Sequence, residues 1–579
     1  MSPKVSTATA GSSNQGRQWG FTALLILFAA YAAAFVYRTS FEVNGVRFFC
    51  LFDDAMISMR YAKNFAHGLG LVWNPGGERV EGFTNPLWVL YMSLFHLFPI
   101  PPPKISLCVQ VSGAVCLLLT LVYVRKIASF LTTGSRLAAF SAVALTAFYI
   151  PLVNWSLQGM EVSLLALIVT GAVWMALRIP GGVQRPLPFY LVLGVGTLVR
   201  IDITPLAVVL LAALVITDRV NRRKHLLIGV SIILLFLGAQ TALRYFYFGE
   251  LLPNTYYLKM TGVSMFHRLQ RGGGAFLGFA SGMSWIVFLF PFVLLLLRRD
   301  WGVLVITAVF LSQCAYSIYV GGDAWEWWGG SNRYIAIVMP LFFVLFGLAL
   351  SRLRTAWEHM ISWRPSAVRV VTRAGMCLFL LLSYFQLNTV VGSVGMSAWV
   401  DGGSFLVSYA FGRQPGVDPA EIMHVVSWLV VPDPLELSEN LTMVNASALL
   451  DSITAPEARV LVALAGALPY FSDRTFIDLL GKTDKTVARM EARVAVDPNG
   501  RTTFTPGHSK WDYAYSIGEL QPDVVFQLWI ASDEARPFLD ARYRAVEIRH
   551  RTLYLRRGSP AIHWAIIERM ARTESPLPD

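Results

Sequence analysis

The chain has 579 residues, 55% hydrophobic and only 15% charged, with a formal net charge of +12 and a mean hydropathy of +0.53. That balance excludes an ordinary soluble protein of this length and makes a bilayer the natural solvent for much of the chain. The positive excess lies in short loops between apolar stretches, where topology alone produces it, which argues against a nucleic-acid-binding surface.

A membrane-spanning helix needs roughly 20 mostly apolar residues, and such windows predict about eleven crossings. They fall at 20–37, 105–124, 137–153, 160–177, 187–199, 203–218, 225–243, 275–297, 302–320, 335–351 and 370–390. The first lacks a convincing small-residue cleavage site and reads as an uncleaved span behind a cytoplasmic tail, 1–19, rather than as a signal peptide. With that tail inside, the inside loops hold Arg125, Lys126 and Arg136; Arg178 and Arg185; Arg219, Arg222, Arg223 and Lys224; Arg298 and Arg299; and Arg352, Arg354, Arg364 and Arg369. Each loop is basic, as the positive-inside rule requires. Counting 86–99 as a span would invert every later loop, so this short apolar stretch is expected to be re-entrant or to lie on the membrane surface. An odd number of crossings then places 391–579 outside. That region has charges at ordinary density and short strand-like runs at 459–465 and 523–529, and reads as a soluble extracytoplasmic α/β domain. The predicted architecture is thus an α-helical polytopic membrane domain over 20–390, with a large first outer loop at 38–104, followed by the soluble domain. The five cysteines, Cys50, Cys108, Cys116, Cys314 and Cys377, show no metal-ligand or redox spacing.

The outer segments concentrate the unusual chemistry. Asp53 and Asp54 open a helix-like stretch at 55–65. Crowded carboxylates raise each other's proton affinity, so the pair suits proton transfer, a metal ion or sugar hydroxyls; helix capping is the plainer alternative. Adjacent aspartates offer oxygen ligands to Mg²⁺ or Ca²⁺ without completing a shell, which leaves a divalent cation open. Glu161 and the nearby Arg200 and Asp202 sit at helix ends, where ionisable groups close to hydrocarbon are paired or functional. Arg200 and Asp202 either neutralise each other or, if the backbone there is not helical, point together into an outer vestibule. Between Arg244 and Lys259 an interfacial aromatic belt explains the tyrosines but not Asn254, Thr255 and Lys259. A basic pair flanking a Pro-Asn-Thr turn suits a phosphate at headgroup level, whether of a lipid-linked substrate or of ordinary anionic lipid. Gly321-Gly322-Asp323 leads into Trp325, Trp327 and Trp328, either a sugar-stacking platform or an interfacial belt, though a belt does not call for Asp323. In the soluble region His508 and Asp512 are a candidate loop pair.

Taken in order, several segments resemble the motif string of the glycosyltransferase C (GT-C) superfamily. They are Asp53-Asp54 with Gly77-Glu78-Arg79-Val80-Glu81, Gly159-Met160-Glu161, Val199-Arg200-Ile201-Asp202, Phe248-Gly249-Glu250-Leu251-Leu252-Pro253-Asn254-Thr255 with Lys259, and Gly321-Gly322-Asp323 with Arg333. Within the superfamily the string is most similar to bacterial arabinofuranosyltransferases of the mycobacterial terminal β-1,2 (AftB-like) type. The likeness runs from the first loop to about Pro340 and departs at Gln158, Ile201 and Glu250. It implies transfer of a sugar, D-arabinofuranose in that likeness, from a polyprenyl-phosphate donor to a cell-envelope glycan or glycoprotein on the outer side of the bacterial cytoplasmic membrane. It implies that Asp53 or Asp54 is the catalytic carboxylate, and that Arg244 and Lys259, with Asn254, Thr255 and Arg200, hold the donor phosphate. Glu78, Glu81, Glu161, Asp202, Asp323, Trp327, Arg333 and His508 would line the sugar and acceptor cavity. The donor phosphate is already a fair leaving group, so the protein's main task is to position a hydroxyl and hold charge. Two rival readings are a lipid-linked-sugar transporter or flippase, which predicts internal repeats that the sequence lacks, and a non-catalytic envelope scaffold, which leaves the acidic pair and the cations around Pro253 unexplained.

Overall fold

The computed structural model describes residues 8–180, 182, 185–283, 285–294, 300–326, 331–360, 368, 370, 371, 374, 375, 377, 378, 381, 436–496, 502–548 and 551–574. Among the described residues, five helices are long and apolar enough to cross a membrane: Trp19–Arg38, Pro102–Leu131, Arg222–Phe248, Trp301–Tyr319 and Met339–His359. Two bent pairs qualify when each is taken as one span, Arg136–Ala147 with Ile150–Leu157 and Met265–Gly282 with Trp285–Phe292. Three shorter apolar helices, Val162–Arg178, Pro186–Val199 and Ile201–Thr217, pack among them. Each of these falls on a window expected from the sequence. Most of the window at 370–390, the boundary near 390, Trp327, and Arg298, Arg299, Arg364 and Arg369 lie outside the described residues.

Two breaks interrupt the helical body near its polar residues. Pro151, in the first turn of Ile150–Leu157, removes a backbone donor that a continuous helix would need, and the pair bends there by 50°. At Arg200 the backbone is extended, with φ −162° and ψ 126°, which interrupts the helical run between Val199 and Ile201. That interruption is the non-helical geometry needed for Arg200 and Asp202 to face one place.

The first loop folds as a hairpin, Ser40–Val43 paired with Val46–Phe49, followed by the helices Asp53–Ala66 and Pro86–His96. The latter begins at a proline, as helix starts favour, and its 11 residues pack against Asp53–Ala66. At 1.5 Å per residue it is about 16 Å long, half the hydrocarbon thickness.

The C-terminal region is a mixed five-stranded sheet in the order Thr475–Asp478, Arg459–Val462, Val524–Val525, Arg551–Arg556, Tyr543–Ile548. The first three strands are parallel, and the last two form an antiparallel hairpin. Alternation at period two splits the sheet between two apolar layers. Val460, Val462, Phe476 and Val524 join the core that continues through the helices Leu437–Ile453 and Trp564–Glu574 into the membrane domain. Leu461, Ile477 and Val525 face a second, smaller core with Trp511, Tyr513 and Leu539.

Candidate functional site

The helix Asp53–Ala66 begins with both aspartates, and the structure gives them different surroundings. Asp54 lies between two cations: Lys482 donates to its Oδ1 at 2.6 Å and Arg333 Nη1 to its Oδ2 at 2.9 Å. The Arg333 guanidinium also pairs with Asp323, through Nη2 to Oδ1 at 2.9 Å and Nε to Oδ2 at 2.7 Å. Lys259 adds a third positive charge felt by Asp54 and Asp323, and among the described residues no hydrogen bond engages its ammonium. Burial opposes ionisation of Asp54, but Lys482, Arg333 and Lys259 outweigh it and hold its carboxyl well below the usual range. The same balance, through Arg333 and Lys259, lowers Asp323. Lys259 keeps some contact with solvent yet is densely surrounded by protein, and burial together with Arg333 brings its ammonium down to about 8.

Asp53 faces the C-terminal domain instead. The backbone N–H groups of Gly466 and Ala467 donate to its Oδ1 at 3.0 and 3.3 Å, and its own N–H donates to Glu436 Oε2 at 2.7 Å. Asp53 is 4% exposed, and its Oδ2 has no hydrogen-bond partner among the described residues. Burial, with help from the Asp54 charge and against the pull of Lys482, pushes it up to about 6. Burial and the Asp53 charge push Glu436 well above the usual carboxylate range.

A second cluster lies beside the first. Arg200 pairs with Glu161 and Asp202 at 2.5 Å each, Tyr316 donates to Asp202 Oδ1 at 2.5 Å, and Asn85 donates to Glu161 Oε2 at 2.8 Å. A small cleft lined by Glu161, Arg200, Asp202, Gln313, Arg333 and Tyr334 joins the two clusters.

Several expected site residues are committed elsewhere. Arg244 and Glu81 form a buried ion pair with each other. Asn254 Nδ2 donates to the carbonyls of Gly481, Lys482 and Asp484 at 2.9, 3.1 and 3.2 Å. Thr255 is buried with its hydroxyl unpartnered among the described residues, and Glu78 is an exposed residue paired with Lys485 at 2.9 Å. His508 and Asp512 are not a pair: His508 Nδ1 lies 3.3 Å from the Pro506 carbonyl, while Asp512 accepts from the Tyr515 N–H. The His508 ring contacts Trp325 and Trp529, and its Nε2 is buried without a partner among the described residues. Burial and nearby Lys482 lower it to about 3, so the imidazole is neutral. Lys482, Glu436 and the Gly466–Ala467 amides are site groups that sequence reasoning missed; no motif in the C-terminal region marks them.

A divalent cation does not fit this arrangement. Both Asp54 oxygens are taken by cations, Lys259 is adjacent, and among the described residues no group of three His, Cys, Asp or Glu side chains gathers as ligands.

Residues 436–565 match a family described as a domain of unknown function (DUF8728). No curated protein matches the sequence. In structure the chain is similar to ArnT from Cupriavidus metallidurans bound to undecaprenyl phosphate, at 14% identity and a TM-score of 0.54, over 93% of this chain and 99% of that one. It is likewise similar to apo ArnT, at 15% identity and 0.54 over 92% and 98% of the two chains. The apo oligosaccharyltransferase of Archaeoglobus fulgidus gives 12% identity and 0.50 over 94% of this chain and 75% of that one. The chain shares its overall fold with these structures: a helical body in which, among the described residues, five helices are long and apolar enough to cross a membrane, and a sheet-containing domain at its C-terminal end.

Proposed function

We propose that the chain is a GT-C glycosyltransferase that moves a sugar from a polyprenyl-phosphate donor to an acceptor hydroxyl. The observation that carries the reading is Asp54 set among Lys482, Arg333 and Lys259, of which Lys259 is engaged by no hydrogen bond among the described residues. A carboxylate among three cations, one of them not so engaged, suits a base beside a phosphate leaving group. The overall likeness to a structure holding undecaprenyl phosphate, and to an oligosaccharyltransferase, supports that ligand and that reaction class.

The donor phosphate would take Lys259, which no hydrogen bond engages among the described residues, and compete with Asp54 for Arg333. As the cations turn towards phosphate, Asp54 loses their hold and becomes a better base. The acceptor hydroxyl then gives its proton to Asp54 while its oxygen bonds to the anomeric carbon. The anomeric carbon–phosphate oxygen bond breaks, and its electron pair leaves on polyprenyl phosphate, where the cations stabilise the charge. Asp323, held by Arg333, and the Arg200 cluster, which shares a small cleft with Arg333, would line the sugar. Arg244, Glu81 and Asn254 act in this reading by holding the architecture rather than by touching phosphate. The motif string makes D-arabinofuranose the first donor sugar to try, with a cell-envelope glycan or glycoprotein as acceptor. The basic connectors support an orientation with the site and the C-terminal domain on the outer face of the cytoplasmic membrane.

The test is transfer in proteoliposomes from a panel of labelled polyprenyl-phosphate sugars, decaprenyl-phosphoryl arabinofuranose first. Wild type should label the acceptor and Asp54→Asn should lose about 100-fold or more, in the range set by general-base catalysis. Equal rates in the two proteins would rule out Asp54 as the base.

A further inference from the structure

We infer that the C-terminal domain is the second half of the catalytic centre, with its Lys482 the positioning residue for Asp54; this rests on the transferase reading above. The domain presents to the membrane body the edge at which open α/β sheets bind ligands. From Arg459–Val462 the chain passes first to the parallel neighbour Thr475–Asp478 and later to the neighbour on the other side, Val524–Val525. The crevice beyond the carboxyl ends of such diverging strands is the general binding position of these sheets. Here that position receives the membrane body's own acids. The amides of Gly466 and Ala467, beyond the strand Arg459–Val462, hold Asp53, and Lys482, beyond Thr475–Asp478, holds Asp54.

The loop that carries Lys482 is built from both sides. From within the domain, Asp478 Oδ1 accepts from Leu480 N–H, and its Oδ2 from the N–H and hydroxyl of Thr483. Gly481 turns the chain at φ +77°, where a side chain would also strike Val487. From the membrane body, Asn254 binds the carbonyls of Gly481, Lys482 and Asp484 in the same loop. Lys482 itself is 6% exposed, and its ammonium bonds to Asp54. A buried lysine on a loop held this firmly is poorly explained as a docking feature alone, because Asp53, Arg60 and Asn74 already secure the interface through backbone groups of 466–476. The domain is thus an integral part of the site.

The test compares full-length wild type with Lys482→Arg, Lys482→Met and a control in the same domain, Arg493→Ala, which removes an exposed pair with Glu534 and a guanidinium contact over the Trp511 ring. Two readouts are taken: the pH dependence of kcat, and infrared titration of the Asp54 carboxyl band, assigned by its loss in Asp54→Asn. Removing one of the two cations bonded to Asp54 should cost Lys482→Met roughly tenfold or more at acid pH, with recovery as pH rises, while Arg restores most of the rate. The protonated Asp54 band should persist to higher pH in Lys482→Met than in wild type, and Arg493→Ala should match wild type in both readouts. A wild-type profile and band in Lys482→Met, or an arginine variant as impaired as the methionine one, would overturn the inference. If wild type itself transfers no sugar, the transferase reading fails, and the infrared titration still decides whether Lys482 governs Asp54.

Discussion

Gly466→Ala isolates the contact that joins the two halves of the protein. The glycine's φ of −100° does not call for the left-handed region, and the substitution costs the space that a Cβ would need. An added Cβ would lie 2.7 Å from Asp53 Cγ and closer still to its carbonyl oxygen and Oδ1, whereas carbon atoms in contact sit about 3.5–4.0 Å apart. Overpacking of this kind costs about 1–3 kcal/mol. Any shift that relieves it lengthens two hydrogen bonds to a buried carboxylate, each worth about 1.5–3 kcal/mol. A combined loss of about 3 kcal/mol, the cautious end of that range, corresponds to roughly 100-fold more frequent local opening. Hydrogen exchange on the full-length protein in nanodiscs reads this directly in peptides covering Ala467–Phe471 and Asp53–Ala66. Asp53→Asn should do less harm, because a carboxamide oxygen still accepts from both N–H groups. Exchange in Gly466→Ala within a few-fold of wild type would refute the docking geometry.

Arg333→Gln removes the cation shared by Asp54 and Asp323, and single-turnover transfer should fall by about 100-fold or more while the protein still folds. Lys259, brought down to about 8 by burial and Arg333, is protonated below that pH and neutral above it. Its attraction for donor phosphate is therefore present at lower pH and fades as pH rises through about 8, so KM for the donor should climb there and stay flat in Lys259→Arg. Arg244→Met strands Glu81 as a buried unpaired acid, at about 3–5 kcal/mol, and should sharply lower yield. Adding Glu81→Leu should restore both folded protein and transfer; a folded double variant without transfer would return Arg244 to the substrate site.

The membrane body was largely legible because its signals are long and local. Apolar windows located the helices, loop charge set apart 86–99, which holds a helix of only 11 residues, and the sequence break at Arg200–Asp202 is an interrupted helix. Asp54, Asp323 and Arg333 do meet, although Asp54 and Arg333 are 279 positions apart: Asp54 is marked by its crowded acidic pair, Asp323 as a charge that an aromatic belt does not call for, and Arg333 by the motif resemblance. Pairings were harder to read. Arg244 and Glu81 are 163 positions apart, and each alone resembles a ligand-binding group; only the fold reveals that they neutralise each other. Lys482 was invisible for a related reason: it reaches Asp54 across 428 positions from a short loop in a domain with no periodicity or motif to distinguish one lysine from another. Gly466 reads in the sequence only as part of a turn after a strand, and its part in the site shows only when Asp53 is placed against it.

The most direct measurement is a structure of the protein with undecaprenyl phosphate bound. The phosphate should lie within hydrogen-bonding reach, about 3.2 Å, of Lys259 and Arg333, with Asp54 drawn away from at least one of its present cations. A phosphate seated on Arg244 and away from Lys259 and Arg333, with the Asp54 pairs intact, would contradict the proposed mechanism.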